Sequence, residues 1–286
     1  MSMPPYRVIF AGTPDIAVSS LQGLIDDPAF DVQLVITQPD KPVGRKRIIQ
    51  EPPVKTCAKK AGIEVLQPED INKEYPDIDH DFLVVVAYGQ ILKEEILNAP
   101  NIAPVNLHPS LLPRWRGPSP MKSAILAGDT ETGVTIQRIV KKLDSGPILS
   151  QVITPIEEGE TIRSLQTRLE KAGASLLLDT LNKPLEEKPQ DEERVTLCYK
   201  LKRSMGNVDP QKMTAEEIDR HVRALVPWPG VRTTIENQEV KLLETSLIPT
   251  EKSIPLQCTD ADVHIVMLQP SGKKPMSGQA WQRGRN

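Results

Sequence analysis

The sequence predicts an α/β protein whose mostly parallel sheet is followed by a small all-β region. Three observations lead to this. Short apolar runs end in turn residues and give way to segments with helical spacing, in the order strand, turn, helix, strand. That order closes as a parallel sheet with right-handed crossovers. The run Phe82-Leu83-Val84-Val85-Val86-Ala87 is continuously apolar, as strands buried on both faces are. Towards the C-terminus the pattern changes to short strands separated by turns, as in small barrels.

Residues 6–11 form the first expected strand, around Val8-Ile9-Phe10. Gly12-Thr13-Pro14-Asp15 is a turn, and 16–26 carries Val18, Leu21, Leu24 and Ile25 at helical spacing. Residues 32–37 are a second strand. The first turn holds a single glycine, whereas a dinucleotide fingerprint needs three, so NAD is not expected. A long proline-rich connection, 38–54, precedes a short helix at 53–62 and a strand at 64–66. After the strand at 82–87, Tyr88-Gly89 turns into a helix over 90–97. Residues 119–127 are a helix stopped by Gly128. Residues 133–139 and 148–154 are strands flanking a turn at Asp144. An amphipathic helix over 161–181 closes the first domain. The expected partition is a domain at 1–186, a Pro- and charge-rich linker at 187–204 and a small domain at 205–286. The last begins with a helix whose Thr214-x-x-Glu217 is a capping box, followed by strands near 231–235, 240–244 and 263–267.

Composition limits the function. Of 286 residues, 38% are hydrophobic and 26% charged, which suits one large or two smaller domains. A formal net charge of −3 means that a nucleic-acid partner must be held by a local patch. Cys57, Cys198 and Cys258 are scattered, without a C-x-x-C pair. This fits a reducing compartment and neither a disulfide framework nor a zinc site. There is no apolar run of ~18 residues to span a membrane, and residues 1–5 lack a signal-peptide core. The expected location is the cytoplasm, with no membrane partner. His80, His221 and His264 have no ligand-spaced Cys or carboxylate, so no metal is expected.

The most informative stretch is NLHPSLLPRWRG, from Asn106 to Gly117. Asn106 and His108, two residues apart at the end of a strand, point to one face. Pro109, Pro113 and Pro118 stiffen the backbone that follows. Loops at the carboxyl ends of strands are where open α/β sheets bind ligands. An isolated Asn-x-His is also what a satisfied structural pair looks like. A third polar group, Asp144 in Lys142-Leu143-Asp144-Ser145-Gly146, turns the reading towards chemistry. An amide, an imidazole and a carboxyl together can bind a carbonyl and manage its protons. Residues 41–60 contain seven basic residues (Lys41, Arg45, Lys46, Arg47, Lys55, Lys59, Lys60) and one acid, Glu51. Such a run is either a solvated face or, with Gly44 giving a mobile tip, a loop that enters a nucleic-acid groove. There Arg reads base edges and Lys holds phosphate.

These residues, with TGVTIQ and LDSGPIL after them, resemble the folate-dependent formyltransferases. The resemblance takes in Phe10-Ala11-Gly12-Thr13-Pro14, Thr37-Gln38-Pro39-Asp40, Val84-Val85-Val86-Ala87-Tyr88-Gly89, Trp228-Pro229 and Gly272-Lys273-Lys274, nearly the whole chain. The SLLPRWRG extension and the C-terminal part narrow it to the branch that formylates tRNA. The resemblance implies a Rossmann-like formyltransferase domain without a nucleotide and a C-terminal OB-like β-barrel domain. It implies 10-formyltetrahydrofolate as co-substrate, no metal, and initiator methionyl-tRNA as acceptor, for translation initiation by a monomer. Asn106 would donate to the oxyanion, His108 would add a donor or shuttle a proton, and Asp144 would hold His108. The backbone at Ala87 and Tyr88 would line the pterin pocket, opposite Ser110, Leu111, Leu112 and Pro113. From the residues alone, Leu111 and Leu112 read equally as core packing. Lys41, Arg45, Lys46 and Arg47 would meet the acceptor stem, with Arg45 the principal reader. The family's linker is basic; this one has five basic and four acidic residues. The C-terminal part has ten of each, so any tRNA contact there must come from clustering, as at Lys273 and Lys274, which read equally as turn residues. An N-formyltransferase for an amino-sugar nucleotide would share Asn106, His108 and Asp144, whereas a non-catalytic tRNA-binding protein has no need of all three.

Overall fold

The runs at 6–11, 32–37, 64–66, 82–87, 133–139 and 148–154 all enter one sheet in the computed structural model, which describes residues 4–44 and 47–284. β1 (Tyr6–Gly12) leads through a 3-10 turn into α1 (Val18–Asp26) and β2 (Phe30–Ile36). A hairpin of β3 (Lys41–Val43) and β4 (Ile48–Gln50) precedes α2 (Pro53–Lys60), β5 (Val65–Leu66) and α3 (Ile71–Glu74). Then come β6 (Phe82–Val86), α4 (Glu94–Leu97), β7 (Ala103–His108), α5 (Pro120–Ala127), β8 (Glu131–Arg138), β9 (Ile148–Pro155) and α6 (Ile162–Leu181). The C-terminal part has α7 (Ala215–Leu225), β10 (Val231–Ile235), β11 (Gln238–Ser246), β12 (Ile254–Gln257), β13 (Asp262–Pro270), β14 (Met276–Ser277) and α8 (Gly278–Arg283).

The seven-stranded sheet has the order β5-β2-β1-β6-β7-β8-β9. β5, β2, β1, β6 and β7 are parallel, and β8 turns antiparallel to β7. Val8, Ile9, Phe10, Val84, Val105 and Ile136 are fully buried along it. The order reverses between β1 and β6, the switch point at which α/β sheets open a crevice. The backbones close up there: a Cβ on Gly12 would lie 3.0 Å from the Val86 carbonyl and 2.9 Å from Ala17 Cβ.

Two compact units arise. One takes residues up to 117, 132–154 and 166–197; the other takes 118–131, 155–165 and residues from 198 onward. In the second, β10-β11-β13-β12 form an antiparallel sheet with β14 beside β13, an open half-barrel. Glu236 and Asn237, at φ 47° and 62°, make the two-residue turn from β10 to β11, as primed hairpin turns require. Thr214 and Glu217 exchange the expected capping-box hydrogen bonds at the start of α7. α5 packs on α7, and Gly128 ends α5 at φ 74°. Among the described residues, no helix is long and apolar enough to cross a membrane.

The helix expected over 90–97 starts only at Glu94. Tertiary hydrogen bonds compete for the preceding residues: Gln90 accepts from the Ile71 N–H and donates to the Pro68 carbonyl, and the Lys93 N–H donates to Asn72 Oδ1. The β3–β4 hairpin and the edge strand β12 were not legible in the sequence. A proline sits in each, at positions 42 and 255, and proline within a run argues against a paired strand unless the strand is an edge.

Candidate active site

Residues alternate along β7, so Val105 and Leu107 are buried away from the face that carries half-buried Asn106 and buried His108. β8 adds Gln137 opposite Asn106 and Thr135 opposite His108. The loop after β7 is stapled to this strand pair. Ser110 Oγ donates to the Arg114 carbonyl over 2.7 Å, and Thr135 Oγ1 donates to the Ser110 carbonyl over 2.7 Å. Thr135 Oγ1 also accepts from the Leu112 N–H and from Gln151 Nε2, which donates in addition to the Leu112 carbonyl.

Trp115 adopts φ 62°, a left-handed conformation that costs a bulky residue about 1–3 kcal/mol. Its carbonyl accepts from His108 Nε2 over 2.9 Å. A carbonyl only accepts, so the hydrogen sits on Nε2, and Nδ1 is the ring nitrogen left for proton traffic. Nδ1 lies 3.7 Å from Asp144 Oδ1, beyond a hydrogen bond, so neither atom is committed to the other. Asp144, at φ 50°, accepts through Oδ2 from the Gly117 N–H over 2.9 Å and through Oδ1 from Gln137 Nε2 over 3.3 Å. Two residues on, a Cβ at Gly146 would lie 1.8 Å from the Arg138 carbonyl. Only glycine lets the Asp144 turn pass so close to the end of β8.

Gln190 braces this turn. Gln190 Nε2 donates to the carbonyls of Asp144 and Gly146 over 2.9 and 2.7 Å. Gln190 Oε1 accepts from Arg116 Nε over 2.9 Å, and Arg116 Nη2 pairs with Glu192 at 2.7 Å. Arg116 is only 3% exposed, a buried cation paired as buried charges require. Asn106 is different. Its side-chain amide has no hydrogen-bond partner among the described residues, which leaves a half-buried donor on the face shared with His108.

The remaining expected residues divide. Ala87, at φ 49°, is exposed just past β6, whose Val85 pairs with Asn106. The Tyr88 ring is buried in a cluster with Ile9, Leu34, Ile36 and Ile71, and burial pushes its hydroxyl up to about 12. Its contribution to a pocket is therefore main-chain only, and its carbonyl already accepts from Thr13 Oγ1. Ser110 and Leu112 are interior, whereas Leu111 and Pro113 keep partial exposure. In the basic hairpin, Lys41 and Arg47 are exposed and have no ion pair among the described residues; Arg45 and Lys46 lie outside the described residues. Lys55 and Lys59 are neutralised at its base by Asp40 and Glu51. His80 is buried between the Tyr75 hydroxyl and the Ile78 carbonyl. No group of three or more His, Cys, Asp or Glu able to hold a metal occurs among the described residues. Sequence reasoning did not assign Gln137, Arg116 or Gln190 to the site. The first two stood inside TGVTIQ and PRWRG; Gln190, in a polar linker, gave no signal.

Comparison with known proteins supplies the lineage. The formyl transferase family matches residues 6–181, and the formyl transferase C-terminal domain matches 200–286. Methionyl-tRNA formyltransferase of Bacillus cytotoxicus is 42% identical over 301 aligned residues, covering 97% of this chain and 95% of that protein. The protein of the same name from Bacillus thuringiensis is 43% identical with the same coverage. The fold is shared with an N-formyltransferase from Helicobacter canadensis in complex with folinic acid and dTDP-3-aminofucose. There the TM-score is 0.71 at 20% identity, covering 92% of this chain and 98% of that one. Both domains and this identity over nearly the full length show that the chain belongs to the methionyl-tRNA formyltransferase family of formyl transferases.

Proposed function

We propose that this protein transfers the formyl group of 10-formyltetrahydrofolate to the α-amino group of initiator methionyl-tRNA, in the cytoplasm and for translation initiation. Residues 1–186 are assigned as the catalytic domain, 187–204 as the linker and 205–286 as a tRNA-binding domain. The observation that carries the reaction is the unpartnered Asn106 amide beside the His108–Asp144 pair. The acceptor is supported by the relatives named methionyl-tRNA formyltransferase and by the exposed, unpaired Lys41 and Arg47 of the hairpin, flanking Arg45 and Lys46.

The chemistry follows from these groups. A deprotonated amine is already a nucleophile, so no Ser or Cys is required. As its nitrogen bonds to the formyl carbon, charge develops on the formyl oxygen, and the Asn106 N–H is the donor for it. Removing one such donor costs roughly 3–4 kcal/mol of barrier in acyl-transfer sites. The amine must then lose a proton and the departing folate nitrogen must gain one as its bond to the formyl carbon breaks. His108 Nδ1 and Asp144 form the pair that relays it, since the Nε2 hydrogen is engaged by Trp115. The partly exposed Leu111 and Pro113 and the exposed Ala87 are apolar and uncharged, the kind of side chain that would suit a flat heterocycle.

The test is direct. Purified protein is incubated with 10-formyltetrahydrofolate and charged initiator tRNA, and the esterified amino acid is released and identified. Formylmethionine is expected. Formylation of an amino-sugar nucleotide in preference to methionyl-tRNA would overturn the reading.

A further inference from the structure

The first turn of α5 anchors two exposed aromatic residues, all within the second unit. The Ser119 hydroxyl donates to the Tyr199 carbonyl over 2.6 Å, and Lys122 Nζ donates to the Trp228 carbonyl over 2.9 Å. The two anchors are three residues apart, a spacing that brings side chains together on a helical turn. Tyr199 is 72% exposed and Trp228 49%. Single exposed apolar side chains are ordinary, but these two are tied to one turn, and one of the two anchors is a cation. Lys122 Nζ lies 5.5 Å from the Trp228 ring centroid, within cation–π range. It is half-buried and, among the described residues, has no carboxylate at ion-pair distance. Burial accordingly lowers its pKa. An ammonium has three donors, and among the described residues its one hydrogen bond goes to the Trp228 carbonyl, with no anion beside it. No acid occurs between Glu193 and Asp209, while Lys200, Lys202 and Arg203 are exposed.

We propose that Trp228 and Tyr199 form a stacking platform for unpaired bases of the RNA substrate, with the Lys122 ammonium holding the adjoining phosphate. Rings beside a cation on a positively charged surface are how proteins hold single-stranded nucleic acid without reading its sequence. The proposal rests on methionyl-tRNA being the acceptor, since its unpaired 3′ end is the segment such a platform fits.

Two measurements test it. A short single-stranded RNA ending in CCA is titrated into the full chain and tryptophan fluorescence is followed, with Trp228→Leu identifying the Trp228 signal among the three tryptophans. Saturable quenching that disappears in Trp228→Leu and weakens severalfold in Lys122→Met is expected. In parallel, Trp228→Leu and Tyr199→Ala raise the KM for methionyl-tRNA about tenfold, while the KM for 10-formyltetrahydrofolate moves less than twofold and Trp228→Phe restores most of the loss. Circular dichroism confirms that each variant is folded. If wild-type protein formylates methionyl-tRNA but the variants keep its KM within twofold, the platform is wrong and the function stands. If wild-type protein fails to formylate methionyl-tRNA, the functional reading fails, and the oligonucleotide titration alone decides the platform: quenching by Trp228 keeps it, no quenching ends it.

Discussion

Gln190 donates its side-chain amide to the main-chain carbonyl of Asp144 over 2.9 Å. A residue distant in sequence thus holds the turn on which the carboxylate sits. Gln190→Leu is expected to leave the carbonyls of Asp144 and Gly146 and the Nε of buried Arg116 without that partner. An unsatisfied buried group costs about 1–3 kcal/mol. Thermal denaturation should register a loss of that order. The kcat should fall with it, because the 3.7 Å spacing of His108 and Asp144 depends on the same turn. A normal melting temperature with normal turnover would show that the linker does not position Asp144.

Asn106→Ala separates chemistry from stability. The amide has no partner among the described residues, so its loss removes none of their hydrogen bonds, and the melting temperature should stay within a few degrees. Loss of an oxyanion donor lowers kcat by about 10²–10³. A substantial drop in stability would instead mean that Asn106 is structural.

Asp144→Asn should leave the Gly117 N–H an acceptor but remove the negative charge facing His108 Nδ1. A fall in kcat of at least ~10² is expected, the usual range for general acid–base groups, with a KM for methionyl-tRNA changed far less. Stopped-flow or single-turnover assays would show whether the formyl-transfer step itself has slowed.

Legibility differed between parts of the site for physical reasons. The period-two pattern exposed β7 and placed Asn106 and His108 on one face, and glycine positions marked the ends of α5 and the Asp144 turn. Those are local signals. Gln190 lies 46 residues from Asp144, and Arg116 lies 74 residues from Gln190; hydrogen bonds of that separation leave no periodicity to read. The Tyr88 turn shows the converse. Its position beside the site was legible, but its ring belongs to the core behind the sheet, and sequence did not distinguish a backbone contribution from a side-chain one.

The far end of the sheet carries a pH prediction. Arg7 donates from Nη2 to Asp81 Oδ1 over 2.9 Å and from its main-chain N–H to Oδ2 over 2.9 Å, clamping β1 to the start of β6. The Arg7 side-chain hydrogen bond, above all, holds the Asp81 carboxyl down at about 2. A carboxylate with a lowered folded-state pKa adds stability above its ordinary value of about 4, and that stability is lost as pH falls towards 2. Arg7 is a third exposed, so solvent screening keeps the contribution of the pair small. Asp81→Asn should therefore be less stable than wild type at pH 7, with the gap closing as pH falls from about 4 towards 2. Urea denaturation at several pH values measures it. A gap constant with pH would mean that hydrogen bonding alone, without the charge, holds the clamp.

The hairpin gives the sharpest separation of substrate binding from chemistry. Lys41 on β3 and Arg47 just before β4 are exposed, with Ile48 and Ile49 also exposed at 59% and 71%, while the pairs Lys55–Asp40 and Lys59–Glu51 neutralise the base. Among the described residues of this segment, Lys41 and Arg47 are therefore the cations left without an ion pair. Each phosphate contact of a duplex steepens the dependence of log affinity on log salt by about 0.9, whereas a bidentate arginine on a base edge contributes about 1–3 kcal/mol of discrimination. Lys41→Ala and Arg47→Ala, as phosphate contacts, should weaken methionyl-tRNA binding severalfold and lower that salt slope by about 1 each. Arg45→Ala should lower kcat/KM for initiator methionyl-tRNA at least tenfold and narrow its advantage over a tRNA with a different acceptor stem. The KM for 10-formyltetrahydrofolate should be unmoved in all three, because the described hairpin residues supply none of the side-chain partners of His108 or Asp144. Equal losses for both tRNAs in Arg45→Ala would reduce that arginine to one more phosphate contact, and an unchanged kcat/KM would remove the hairpin from tRNA binding altogether.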